Sequence, residues 1–129
     1  MILLDTHVLI WAAREPAKLS KPAANAIRTA GENGGLAISA ITLWELAWLA
    51  THGRFVFSGT VDDFVERLSS RTAIRPITPR IAVLASQLPP AYSKDPSDRL
   101  IGATAIFEGL ALVTKDRSIR NFHQIKTIW

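Results

Sequence analysis

Two near-continuous apolar runs, Ile2-Leu3-Leu4 and Leu110-Ala111-Leu112-Val113, set the tightest limit on how this chain folds. A strand with one wet face alternates apolar and polar residues, whereas an unbroken apolar run marks a strand covered on both faces. Such strands belong to parallel sheets with helices packed on either side. The rest of the chain supplies the helices. Helical patterning follows Leu4 to about Ala30, with Ser20-Lys21-Pro22 opening a helix that Gly31, Gly34 and Gly35 close. A strand at Leu36–Ser39 leads into a helix to about His52, and Thr60-Val61-Asp62-Asp63 caps another to about Ser70. A weak strand at Ala73–Pro76, a helix at Pro79–Leu88 ended by Pro89-Pro90, and a closing strand at Gln124–Trp129 complete the alternation. The expected architecture is a three-layer α/β/α domain with a mostly parallel central sheet, built by residues 1–129 as one unit.

Composition narrows the chemistry. With 129 residues, 48% of them apolar, the chain is large enough to bury one core and too small for two. It has no cysteine, which excludes disulfides, thiolate zinc sites and thiol nucleophiles. The N-terminus lacks the basic and apolar regions of a secretory signal. The apolar stretches Leu36–Ala50 and Leu100–Val113 are shorter than a membrane span, and each carries an acid, Glu45 and Glu108. A cytoplasmic location is expected. The net charge of +4 is uneven, −1 over residues 1–64 and +5 over 65–129, a mild tilt toward a polyanionic partner such as nucleic acid. No glycine spacing fits a dinucleotide or ATP loop.

Four of the eleven acidic residues occupy comparable places. Asp5 directly follows the first strand, Glu45 falls in the first turn after the second, Asp98 starts another helix, and Asp116 stands just past Leu112-Val113-Thr114. In an open parallel sheet these positions share the C-terminal edge, where a topological switch point makes a crevice. Carboxylates gathered there repel one another, and a hard divalent cation, Mg²⁺ or Mn²⁺, is the usual resolution. A metal-bound water is a nucleophile for phosphodiester hydrolysis. Each acid also has a local reading: Thr42-Leu43-Trp44-Glu45 fits a capping box, Asp95-Pro96-Ser97-Asp98 fits an N-cap with Pro at N1, and Asp5 and Asp116 each fit a cap or Asx turn. Thr6, Ser39 and Thr114 neighbour the acids and are placed to orient a water or a phosphate, or to satisfy backbone groups. Arg99 is a candidate partner for an acid or a phosphate. Lys115, Arg117 and Arg120 form a basic cluster beside Asp116. His7, His52 and His123 have no metal-type spacing. Trp44 and Trp48 stand on a helix apolar on nearly all faces, so one face is expected to meet a second copy or another protein.

These residues carry a family resemblance. DTHVLIW at Asp5–Trp11, Leu19-Ser20, SAITLWELAWLATHGRF at Ser39–Phe55, DPSDRLIGATA at Asp95–Ala105, LVTKDRSI at Leu112–Ile119 and a closing IKTIW run in order through nearly the whole chain. The chain resembles the PIN-domain ribonucleases, and within them the VapC-type toxins of type II toxin–antitoxin pairs. The resemblance implies an acidic quartet of Asp5, Glu45, Asp98 and Asp116 that binds Mg²⁺ or Mn²⁺ and cleaves RNA. It also implies a homodimer and a cognate antitoxin whose tail blocks the acidic site. In this reading Asp5 and Asp98 are the principal ligands, Glu45 and Asp116 complete the pocket directly or through water, and Thr114 orients the water or a phosphate. The sequence departs from the family at Ser93, where a histidine is frequent, at Ser97, where phenylalanine is, and at Phe55 and Phe57, which replace leucines. Two other classes remain open: a receiver-like phosphoacceptor, which needs an aspartate ending a central strand that Ala73–Pro76 does not supply, and a non-catalytic module that binds a protein through its Trp-rich helix.

Overall fold

A computed structural model describes residues Met1–Trp129. The chain order is β1 (Ile2–Leu4), α1 (Thr6–Arg14), a 3₁₀ turn (Pro16–Lys18), α2 (Lys21–Glu32), β2 (Leu36–Ser39), α3 (Ala40–Thr51), α4 (Val61–Ser69), β3 (Ala73–Arg75), α5 (Pro79–Gln87), α6 (Pro96–Glu108), β4 (Ala111–Val113), α7 (Arg117–Arg120) and β5 (Thr127–Ile128). All strand pairs are parallel, in the order β3-β2-β1-β4-β5. Successive residues of the inner strands serve opposite layers. Leu4, Ile38 and Val113 join Val8, Ile10, Leu46 and Phe64 in one core, while Leu3, Ala37 and Leu112 join Tyr92, Ile101, Ala105 and Ile119 in the other. This two-sided burial is the physical content of the unbroken apolar runs. The three-layer α/β/α fold is therefore as expected. No helix is long and apolar enough to cross a membrane.

Three local expectations are corrected. The helical pattern from Leu4 to Ala30 is two helices, because Pro16 cannot donate to the ladder and Glu15 before it leaves the helical region; Ser20 then caps α2. The closing strand pairs over only Thr127–Ile128. The run Ala73–Pro76 is not central: β3 lies at the sheet edge, and the central strand is β1, which ends at Asp5. The missing aspartate after Ala73–Pro76 therefore does not bear on a receiver, because the central strand β1 is followed directly by Asp5. The chain departs from the flavodoxin-like order of receivers, 2-1-3-4-5, through its own order 3-2-1-4-5.

Two features tie α6 to its surroundings. Arg75 at the end of β3 makes a bidentate ion pair with Glu108 at the end of α6. Gly102, buried mid-helix, makes room for Tyr92, because a Cβ there would lie 2.8 Å from Tyr92 Cζ and closer still to its hydroxyl.

Candidate active site

The chain runs outward from β1 to β2 and β3, then returns to place β4 on the other side of β1, so the switch point lies between β1 and β4. The ladder there runs to the sheet edge, where the Asp5 amide donates to Val113 O at 3.1 Å. The next residues leave the sheet as α1 and as the segment leading into α7, and α3 and α6 complete the walls. The result is a cavity of about 340 Å³ lined by Asp5, His7, Val8, Trp11, Glu45, Asp95, Asp98, Lys115 and Asp116. All four expected acids are brought together, with Asp95 as a fifth. Lys115 is the one lysine or arginine among the lining residues.

Each inner carboxylate has a hydroxyl partner. Asp5 caps α1 through Oδ1, which accepts from Thr6 N at 2.8 Å, while Oδ2 accepts from Thr114 Oγ1 at 2.8 Å. Thr114 Oγ1 in turn accepts from Asp116 N at 3.1 Å. Its single proton is committed to Asp5, so Thr114 acts here on the carboxylate rather than on a water or a phosphate. Glu45 Oε1 accepts from Thr6 Oγ1 at 2.6 Å, and Thr42 extends the chain at 3.0 Å from Thr6. Asp98 Oδ2 accepts from Ser93 Oγ at 2.6 Å. Asp116 Oδ1 caps α7 through Ser118 N (2.8 Å) and Oγ (2.6 Å) and Ile119 N (3.4 Å).

Local capping and the acidic cluster coexist at Asp5 and Asp116, whereas Glu45 is not a cap. The N-cap of α3 is Ser39, whose Oγ accepts from Ile41 N at 3.3 Å; Glu45 lies in the second turn, not the first. The capping box from Thr42 does not form. At α6 the cap is Asp95, accepting from Ser97 N at 2.8 Å, which leaves Asp98 to the cavity. Arg99 pairs with no acid: its guanidinium donates only to backbone carbonyls, Ala85 at 3.0 Å, Ser93 at 3.1 Å, Ser86 at 3.5 Å and Leu88. His7 and Trp11 line the site and the hydroxyls of Thr42 and Ser93 bond within it without having been singled out for it, whereas Lys115 stands beside Asp116 as its basic cluster implied. Thr42 meets Thr6 across 36 residues and so leaves no local signal, whereas Ser93 and Asp98 are only five residues apart.

The electrostatics of the cavity are those of crowded anions. Burial pushes Glu45 up to about 7 and Asp98 up to about 6; Asp5 and Asp95 add repulsion at both, Asp98 adds it at Glu45 and Asp116 at Asp98. Burial likewise raises Asp5, against the lowering effect of Thr114 and Thr6. No three of these side chains stand close enough to cage an ion directly. The donor set nonetheless fits Mg²⁺ or Mn²⁺: it is all hard carboxylate oxygen, and such ions are commonly held by one or two carboxylates with water filling the remaining positions.

A carboxyl raised on folding binds its proton more tightly in the native state, so its stabilisation is complete below its unfolded pKa and lost as pH rises through the folded one. For Glu45 that window runs from 4.5 to about 7 and for Asp98 from 3.8 to about 6. In EDTA the thermal midpoint should fall on the order of 5 °C from pH 5 to pH 8, a small change because both groups are only partly buried and solvent screens them. Mg²⁺ should restore it at pH 8, since a cation favours the ionised forms. A midpoint that rises with pH in EDTA would contradict the cluster's electrostatics.

A second groove, of about 590 Å³, opens beside the first and shares His7, Glu45 and Asp95 with it. Its apolar wall is Ile41, Trp44, Trp48 and Leu49. Leu46 and Ala50 bury the inner face of α3, while Trp44 stays 57% and Trp48 38% exposed.

Comparison with known proteins agrees with this geometry. The PIN domain family matches residues 2–125. Ribonuclease VapC22 of Mycobacterium tuberculosis is 42% identical over 130 residues, covering 99% of this chain and 98% of that protein. Among solved structures, VapBC2 from Rickettsia felis bound to a promoter DNA fragment superposes with a TM-score of 0.74 at 20% identity, over 98% of this chain and 97% of that one. DNA-bound VapBC from Salmonella typhimurium gives 0.71 at 22% identity, over 98% and 97%. Sheet order, acidic crevice and sequence similarity agree: the chain belongs to the PIN-domain family, among its VapC-type members.

Proposed function

We propose that this protein is a metal-dependent endoribonuclease, the toxin of a toxin–antitoxin pair, hydrolysing RNA phosphodiester bonds at a Mg²⁺ or Mn²⁺ site built by Asp5, Glu45, Asp98 and Asp116. The observation that carries the reading is the cavity itself: five acidic side chains at the switch point, three with raised pKa, facing one lysine. A fold does not gather repelling carboxylates by accident of packing, and local capping explains neither Glu45 nor Asp98. The name of the 42% identical relative supports RNA as substrate.

When bound, the cation supplies an activated water and neutralises charge that develops on the phosphate. The chain's own residues do the rest. Asp5 and Asp98 hold the site, Thr114 and Thr6 fix the carboxylates of Asp5 and Glu45, and Lys115 offers a positive contact to the RNA backbone at the rim. One structural neighbour is a toxin–antitoxin complex from Klebsiella pneumoniae, which supports a cognate antitoxin as partner. The exposed Trp44 and Trp48 supply apolar area for a homodimer or that partner. The proposed place of action is the cytoplasm, with its RNA.

The test is cleavage of a structured RNA pool by purified protein in Mg²⁺ or Mn²⁺, alongside EDTA and an Asp98→Asn protein prepared identically. Cleavage is expected only from wild type with metal, and Mn²⁺ added in excess over EDTA should restore it. If calorimetry detects no Mn²⁺ binding and no RNA is cut, the acids hold no metal and the non-catalytic binding module is correct.

A further inference from the structure

We infer that Ser93 is a positioning residue for the Asp98 carboxylate, held in place by Arg99 and Tyr92, and that it sets the affinity of the acidic site for a divalent cation. The inference rests on the metal reading above and adds a residue to it. Ser93 Oγ has one proton and a defined use for it. It accepts from Asp95 N at 3.1 Å, which occupies a lone pair and turns the proton toward Asp98 Oδ2, 2.6 Å away. That length is typical of a hydroxyl donating to an ionised oxygen. Asp98 Oδ1 receives no donor from the protein, so the contact fixes one oxygen and frees the other for a cation.

A serine is too short to reach a carboxylate unless the backbone brings it there, and the segment between α5 and α6 has no strand or helix of its own to do so. Arg99 performs that task. Its guanidinium gathers Ala85, Ser86 and Leu88 carbonyls at the C-terminal end of α5, which have no helical partners, and the Ser93 carbonyl as well. From the other side the buried Tyr92 hydroxyl donates to Asp98 O at 2.9 Å, seated over Gly102. Arg99 and Asp98 are neighbours on α6, so loop and carboxylate share one rigid frame. Partners that orient a metal-binding side chain are worth about 10–100-fold in affinity.

The experiment is Mn²⁺ titration by calorimetry of wild type, Ser93→Ala and Ser93→Thr, with thermal midpoints and RNA cleavage on the same preparations. Ser93→Ala should weaken Mn²⁺ binding about tenfold, with a midpoint lowered by no more than the few degrees a lost hydrogen bond costs and with cleavage largely recovered at saturating Mn²⁺. Ser93→Thr, which keeps the hydroxyl, should bind as wild type does. Purely structural packing would move the midpoint instead of the metal affinity. If wild type binds Mn²⁺ and cleaves RNA while Ser93→Ala binds within twofold, or if Ser93→Thr folds normally but fails to restore binding, Ser93 has no such role. Wild type that binds no Mn²⁺ overturns the metal reading, and the role of Ser93 with it.

Discussion

Asp5→Asn is expected to lower RNA cleavage by about three orders of magnitude or more while leaving the fold at least as stable as wild type. A metal-stabilised transition state draws several kcal/mol from its ion, and each 1.36 kcal/mol is tenfold in rate, so loss of a principal ligand reaches that scale. The stability half of the prediction comes from geometry. Asparagine is as good an N-cap as aspartate, so its carbonyl still accepts from Thr6 N and α1 begins as before. The amide no longer accepts from Thr114, which costs about 1 kcal/mol. Against that, one charge leaves a crevice where burial and neighbouring carboxylates already disfavour ionisation. Cleavage of end-labelled RNA and a thermal melt by circular dichroism check both halves. Cleavage within tenfold of wild type would remove Asp5 from the machinery. Joint loss of activity and fold would make it a structural residue.

That combination, an activity destroyed and a stability kept, is what separates a functional carboxylate from a cap, and it explains what the sequence could and could not display. Asp5 and Asp116 sit at strand ends, where an acid caps the next helix and faces the switch point at once, so both roles are written locally. The fold was legible for the same kind of reason: burial on two faces leaves an unbroken apolar run in β1 and β4. Glu45 was placed, but its partner was not. Thr6 lies 39 residues away, and the nearer Thr42 offered a plausible capping box that tertiary contact overrides. Arg99 looked like a ligand for an acid or a phosphate because its neighbours in sequence are polar; the carbonyls it serves belong to α5 and the following loop. Edge and centre of the sheet are also invisible locally, since Ala73–Arg75 pairs on one side only. The conflicts that remain, buried acids at one sheet edge and exposed tryptophans on α3, are places where stability has yielded to another demand.

Gly102→Ala tests the frame that holds this edge in shape. In an ordinary helix the change adds about 1 kcal/mol of stability through propensity. Here the new methyl meets Tyr92 Cζ at 2.8 Å, its hydroxyl closer, and Ile125 Cδ1 at 3.2 Å. The tyrosine cannot swing aside at little cost. It is 2% exposed, edge-on to Phe122 at 5.2 Å, and donates to Asp98 O. Overpacking costs about 1–3 kcal/mol, and a buried hydroxyl stripped of its acceptor about as much again. The net is a loss of about 2–3 kcal/mol, on the order of 10 °C in the thermal midpoint. In a Tyr92→Leu background the same substitution should cost almost nothing, a coupling of about 2 kcal/mol in a double-mutant cycle. Additive effects, or Gly102→Ala melting with wild type, would show that Tyr92 is not wedged against α6. Because Ser93 follows Tyr92 directly, a displaced tyrosine also draws the serine hydroxyl off Asp98 Oδ2. Gly102→Ala should therefore weaken Mn²⁺ binding well below its melting range, although residue 102 lines no part of the acidic cavity.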